Sequence, residues 1–176
     1  MKTYTYTHPS LIQTTEDIEI YDEQGMVVAI FHRVYDNKLK KLLDNYFDYR
    51  YFLKYKVKST TGEQTFSCKK MIRRGKVWFE AFDIRNQKNY IISYENWRIG
   101  VPELFINSGD LHMKIDKEMD DWSLFYVEEK VVAKWKAVYD ETKDRFTMVI
   151  EIDEESPIQS VDFFAAIGQA TLFIGT

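Results

Sequence analysis

The stretch Ser156-Pro157-Ile158-Gln159-Ser160-Val161-Asp162-Phe163-Phe164-Ala165-Ala166-Ile167-Gly168-Gln169-Ala170-Thr171-Leu172-Phe173-Ile174-Gly175 decides the fold of this 176-residue chain. Ser156 followed three residues later by Gln159 has the form of a capping box, and Pro157 stands where a helix does not need its missing N–H. The pattern predicts a helix that begins at Pro157, runs through Ile174 and stops at Gly175. From Pro157 to Ile174 the only ionisable side chain is Asp162, in the first turns, where a carboxylate suits a capping or dipole role. Apolar residues occur on every side, so this helix cannot lie on a surface with one face in water. Lipid is the poorer account: the segment is at the short end of the roughly 17–25 residues a span needs, contains Ser160, Asp162, Gln169 and Thr171, and lacks flanking basic anchors. Enclosure by protein remains.

A closed sheet can enclose a helix, and strand number decides whether the helix fits. Strands about 4.8 Å apart and tilted roughly 40° give an eight-stranded barrel a radius of about 8 Å, which side chains alone fill; twelve strands give about 12 Å, enough for a helix about 10 Å across. Small residues at Ala165, Ala166, Gly168 and Ala170 slim the middle of this helix.

The preceding sequence supplies the strands. Period-two alternation recurs at short spacing with turn residues between the runs. Asp22-Glu23-Gln24-Gly25 turns a strand containing Ile18 and Ile20 into one running from Met26 to Tyr35. Leu53, Tyr55 and Val57 alternate with Lys54, Lys56 and Lys58, so the three ammonium groups share one wet side of a sheet. Further strands are read at Gln64 to Ile72, Val77 to Ile84, Tyr90 to Tyr94, Leu104 to Ile106, Leu111 to Ile115, Trp122 to Val127, Val131 to Tyr139 and Phe146 to Ile152, with another near Thr3 to Thr7. Between Asn37 and Phe47 the apolar residues Leu39, Leu42, Leu43, Tyr46 and Phe47 recur at helical spacing and predict one short amphipathic helix. The expected architecture is mainly β (α+β): a closed, roughly twelve-stranded antiparallel barrel enclosing the hydrophobic C-terminal α-helix. It is read as one domain over residues 1–176, with no Pro- or Gly-rich linker.

The ending Ser160-Val161-Asp162-Phe163-Phe164-Ala165-Ala166-Ile167-Gly168, after a strand rich in Asp and Glu, resembles the hydrophobic final helix of the tubby C-terminal-like superfamily, which includes the LURP-one-related and phospholipid scramblase proteins. Ile20-Tyr21-Asp22-Glu23-Gln24-Gly25 before an apolar strand is similar to the first hairpin of the LURP-one group. The resemblance implies the same barrel and, for the tubby branch, recognition of phosphoinositide head groups by Lys and Arg on barrel strands. It assigns no binding residue to a position of this chain.

Charge supplies the candidate site. Residues 1–88 carry net +5 and residues 89–176 net −9; between Lys38 and Lys76, 12 basic residues face only Asp44, Asp48 and Glu63. The candidate binding residues are Lys54, Lys56 and Lys58, with Lys69, Lys70, Arg73, Arg74 and Lys76 across the next hairpin. Such a block attracts anionic head groups; no nucleic-acid partner is expected, and the plainest reading is a solvated sheet face guarded by lysines.

No catalytic, metal or cofactor pattern emerges. His8, His32 and His112 are far apart and Cys68 is the lone cysteine, which also excludes an internal disulfide. No glycine-rich phosphate loop or nucleophile elbow is present. Asp120-Asp121, Glu128-Glu129 and Glu154-Glu155 fall at predicted turns, and Cys68 is read as an inert strand thiol. Met1 to Ser10 lack a secretion-signal pattern, so a cytoplasmic location, peripheral to a membrane, is expected. The preferred function is a non-enzymatic binding module for anionic phospholipid head groups. The alternative is a protein-interaction or structural domain using aromatics such as Trp78 or Trp97, with basic and acidic halves pairing between subunits. A carrier of an apolar ligand would need a hollow barrel.

Overall fold

The computed structural model describes residues 1–95, 103–117 and 121–172. Twelve strands, each paired antiparallel with the next, close into one barrel: β1 (Lys2–Pro9), β2 (Ile18–Tyr21), β3 (Val27–Arg33), β4 (Lys54–Lys58), β5 (Gln64–Arg73), β6 (Lys76–Asp83), β7 (Lys88–Glu95), β8 (Glu103–Ser108), β9 (Leu111–Asp116), β10 (Ser123–Val127), β11 (Lys130–Asp140) and β12 (Arg145–Ile152). The seam is β1 against β12, in unbroken register from Lys2 opposite Ile152 to Pro9 opposite Arg145. Alternation sets the two faces: along β4, Tyr55 and Val57 are fully buried while Lys54, Lys56 and Lys58 remain partly exposed outside. At the β2–β3 turn the Asp22 carboxylate accepts the backbone N–H of Gln24 and Met26, and Gly25 takes φ +76°, which a glycine adopts without steric cost.

Helix α2 (Val161–Thr171) runs inside this ring, and all eleven of its residues are buried. The Phe163 ring presents edge-on geometry to Phe66 and Tyr90, with centroids at 5.8 and 5.0 Å; Phe164 meets Phe125 edge-on at 5.0 Å. The slim middle has a specific purpose at Gly168, where a Cβ would stand 2.7 Å from the indole nitrogen of Trp135. That indole N–H donates to the Tyr6 hydroxyl at 3.2 Å, and Tyr6 donates onward to the side-chain Oε1 of Gln169 at 3.2 Å. The Gln169 side-chain oxygen is thereby bonded to the barrel wall, while the Thr171 hydroxyl donates to the Ile167 carbonyl within the helix at 2.8 Å. With α2 filling the interior, the hollow barrel that an apolar-ligand carrier requires is absent.

The start of the helix differs from the sequence expectation. Ser156 does not cap a helix at Pro157: its backbone N–H already bonds the Asp153 carbonyl, its hydroxyl closes a turn with Ile158, and the Gln159 amide donates back to the carbonyls of Asp153, Glu154 and Ser156. A capping box needs that Ser156 N–H free for Gln159. Residues 156–160 are therefore a pinned turn, and the helix begins at Val161 after Ser160. The expected continuation through Phe173 and Ile174 to Gly175 lies outside the described residues, as does Trp97. No helix among the described residues is long and apolar enough to cross a membrane.

The short helix in the β3–β4 connection is present as α1 (Lys38–Asp44), capped by Asn37 accepting the Lys40 N–H at 2.8 Å and continued by one 3-10 turn, Asn45–Phe47. Its orientation is the reverse of what amphipathicity suggests. Leu39, Leu42, Leu43, Tyr46 and Phe47 are exposed, whereas Asp44 is fully buried.

Candidate functional site

The candidate basic residues divide by strand alternation and by position along the barrel. Lys54 and Lys69 lie directly opposite each other on β4 and β5, both outside the barrel. Like charges in that arrangement repel, and Asp36, in the connection leading to α1, relieves the repulsion. Its carboxylate lies 2.6 Å from the Lys40 ammonium, 2.6 Å from that of Lys54 and 3.7 Å from that of Lys69. Hydrogen bonds from Lys40 and Lys54, with their charges, hold Asp36 well below the ordinary carboxylate range. Three ammonium groups around one carboxylate leave a local positive excess.

Farther along β4, Lys56 stands between His32 of β3 and Ser67 of β5. Lys58 reaches Asp17 at 3.5 Å, a carboxylate shared with His32 at 3.2 Å. Burial first, and then the Lys58 charge, push the His32 imidazole below its usual range. Lys70 alternates with Lys69 along β5 yet lines the same recess as Asp36, Lys40, Lys54 and Lys69; its ammonium donates to the Arg50 carbonyl at 2.8 Å, and burial lowers its pKa. Arg73 and Lys76 face each other at the tip of the β5–β6 hairpin, where Arg74 and Gly75 both take positive φ in the two-residue turn. Among the described residues, no carboxylate forms an ion pair with Lys56, Arg73, Arg74 or Lys76. The structure thus brings Lys54, Lys56, Lys58 and Lys69 onto one outer wall, sets Arg73, Arg74 and Lys76 at its end, and places Lys70 at the margin, in the recess it shares with Lys54 and Lys69.

Three features escaped the sequence reading. Asp36 and Lys40 complete the cationic cluster but come from a connection rather than a strand. Arg33 of β3 forms a fully buried ion pair with Asp44 of α1 and also donates to the carbonyls of Ile12 and Tyr49 at 2.8 Å. Asp162, read as a cap or dipole partner, is held by Thr65 of β5 at 2.6 Å and by Arg85 of the β6–β7 turn at 2.5 Å. Arg85 also donates to the Ser160 hydroxyl at 3.1 Å, so one guanidinium bridges the turn to the opening through which α2 enters. A carboxylate in an otherwise apolar helix signals that some cation must meet it; nothing in the spacing says which.

Cys68 is buried, and desolvation pushes its thiol up to about 12, which makes it unreactive. No group of three or more His, Cys, Asp or Glu among the described residues is placed to hold a metal ion.

A closed twelve-stranded barrel wound around its own C-terminal helix defines the class of fold. The chain belongs to the Tubby C-terminal like domain family, whose model matches residues 4–174, and this is a family of non-catalytic binding folds. No curated protein and no solved structure matches the chain.

Proposed function

We propose that this protein is a non-enzymatic module that binds anionic phospholipid head groups at a membrane surface through the outer wall of β4–β6, and that it works in the cytoplasm. The observation that carries the reading is the direct opposition of Lys54 and Lys69 about the single carboxylate of Asp36, flanked by Lys56 and continued by Arg73, Arg74 and Lys76, four cations that no carboxylate pairs among the described residues. An exposed cationic face on an otherwise acidic chain, net −4, is a local device and not a by-product of overall composition. Membership of the tubby-like family supports it, since domains of that family bind phosphoinositides, membranes and proteins. The Ile20–Gly25 hairpin supports placement in the LURP-one-related branch. We assign the fold no reaction.

Vesicle sedimentation tests the reading. Binding is expected to phosphatidylcholine vesicles containing phosphatidylserine or a phosphoinositide, not to phosphatidylcholine alone, and to weaken as salt rises. At about 1 kcal/mol per basic residue near the surface, replacing Lys54, Lys56 and Lys69 together by Gln lowers binding about a hundredfold. Absence of binding to anionic vesicles at low salt would overturn the proposal.

A further inference from the structure

The exposed apolar side of α1 has a physical cause and points to a use. The side facing the protein is polar: Asp44 accepts from Arg33 and Tyr35 and from the backbone N–H of Tyr51 and Phe52, while Lys40 reaches Asp36. Rolling the helix to bury its leucines would break the buried Arg33–Asp44 pair and leave both charges without partners, a costly change. Leu42 is therefore held 65% exposed and Tyr46 79% exposed, on a segment fixed to the barrel. Phe47 and Tyr51, stacked at 4.8 Å, extend the same apolar surface. The anchor explains why the helix does not roll, not why its outward positions carry leucines and aromatics in place of polar residues; an interaction supplies that reason.

The surrounding charge selects the partner. Lys38 and Lys41 are exposed beside the leucines, and Lys40 joins α1 to the Lys54–Lys69 cluster through Asp36. Because neighbouring strands alternate in direction, the β3–β4 connection and the β5–β6 hairpin leave the same end of the barrel, which places α1 with Arg73, Arg74 and Lys76. Leucines and aromatics rimmed by Lys38, Lys40 and Lys41, with Asp48 the one exposed carboxylate of the segment, match an anionic membrane interface, where apolar groups sink below the head groups and charged groups stay among them.

We propose that residues 38–51 insert shallowly into the interface of an anionic membrane, with Leu39, Leu42 and Tyr46 as the entering side chains and the basic wall of β4–β6 lying over the head groups. This rests on the membrane reading above and adds the depth and direction of docking.

An environment-sensitive fluorophore can test insertion, because Cys68 is buried and does not react. Single labels on Leu42→Cys and Tyr46→Cys are expected to shift to the blue on vesicles of phosphatidylcholine and phosphatidylserine, and to be quenched by a quencher carried just below the head groups. A label on Glu129→Cys, in the β10–β11 turn at the opposite end, is expected to do neither. Leu42→Ser with Tyr46→Ser, both at exposed positions, is expected to leave the melting temperature nearly unchanged and to lower sedimentation with the same vesicles at least about tenfold. If the protein sediments while both labels remain in water, head-group binding stands and insertion is wrong. If both labels shift without lipid and the protein elutes as a dimer, α1 is a contact between copies and the proposal falls. If nothing sediments, both readings fall together.

Discussion

The two helices reverse the usual relation between pattern and place. Helix α2, apolar on every side, is wholly enclosed; α1 has a leucine-rich side, and that side faces water. Hydrophobicity explains the first, since no surface could accept α2. The second is decided by a single buried ion pair, Arg33 with Asp44, which outweighs the burial of several leucines. Where a helix goes depends on its total burial when it is apolar all round, and on its anchors when it is short.

Four measurements break or sharpen this contrast. Phe164→Ala removes a fully buried ring between α2 and Phe125 and is expected to lower stability by about 3–5 kcal/mol, read from denaturant midpoints. Asp44→Asn strands the Arg33 guanidinium in the interior and is expected to cost about 3 kcal/mol, although it removes no apolar contact. A loss below about 1 kcal/mol would mean that α1 is held by something else.

Asp162→Asn tests the polar point of α2. Burial raises the Asp162 pKa above 3.8, opposed by Thr65 and the Arg85 charge. A carboxyl whose folded pKa is raised contributes stability that is fully present below the unfolded value and is lost as pH rises through the folded one. The variant is therefore expected to match or exceed wild type in thermal melts at pH 7 and to lose that standing as pH falls toward 4. A wild type that loses ground to the variant on acidification would show instead that the Arg85 ion pair dominates. The smallest effect is expected from Leu42→Ser, within about 0.5 kcal/mol, because the side chain is already in water.

The barrel was readable because two periods agree: residues such as Tyr55, Val57, Met148 and Ile150 repeat at two, and Val161 to Thr171 shows no wet side at all. Strand count and helix diameter then leave one architecture. The basic wall was readable for the same reason along Lys54, Lys56 and Lys58. Alternation alone would set Lys69 and Lys70 on opposite sides of β5; the long Lys70 side chain at the barrel's end nonetheless lines the recess that Lys69 shares with Lys54 and Asp36. Asp36 was invisible because its partners Lys54 and Lys69 lie in other segments, joined to it only by the closed sheet. Helical spacing revealed α1 but not its orientation, which depends on Arg33 in a strand the helix pattern does not contain. The same separation hid Arg85 from Asp162.

The inward position of α2 has a consequence for synthesis. The ribosome makes this segment after β12, so the strands that form the seam emerge before the rod that must stand between them. A sheet sealed early would shut α2 out, and a sheet held open displays its greasy lining to water. Nascent chains stalled before Val161 are therefore expected to be cut rapidly by added protease, and chains extended through Thr176 with the tail clear of the exit tunnel to resist it.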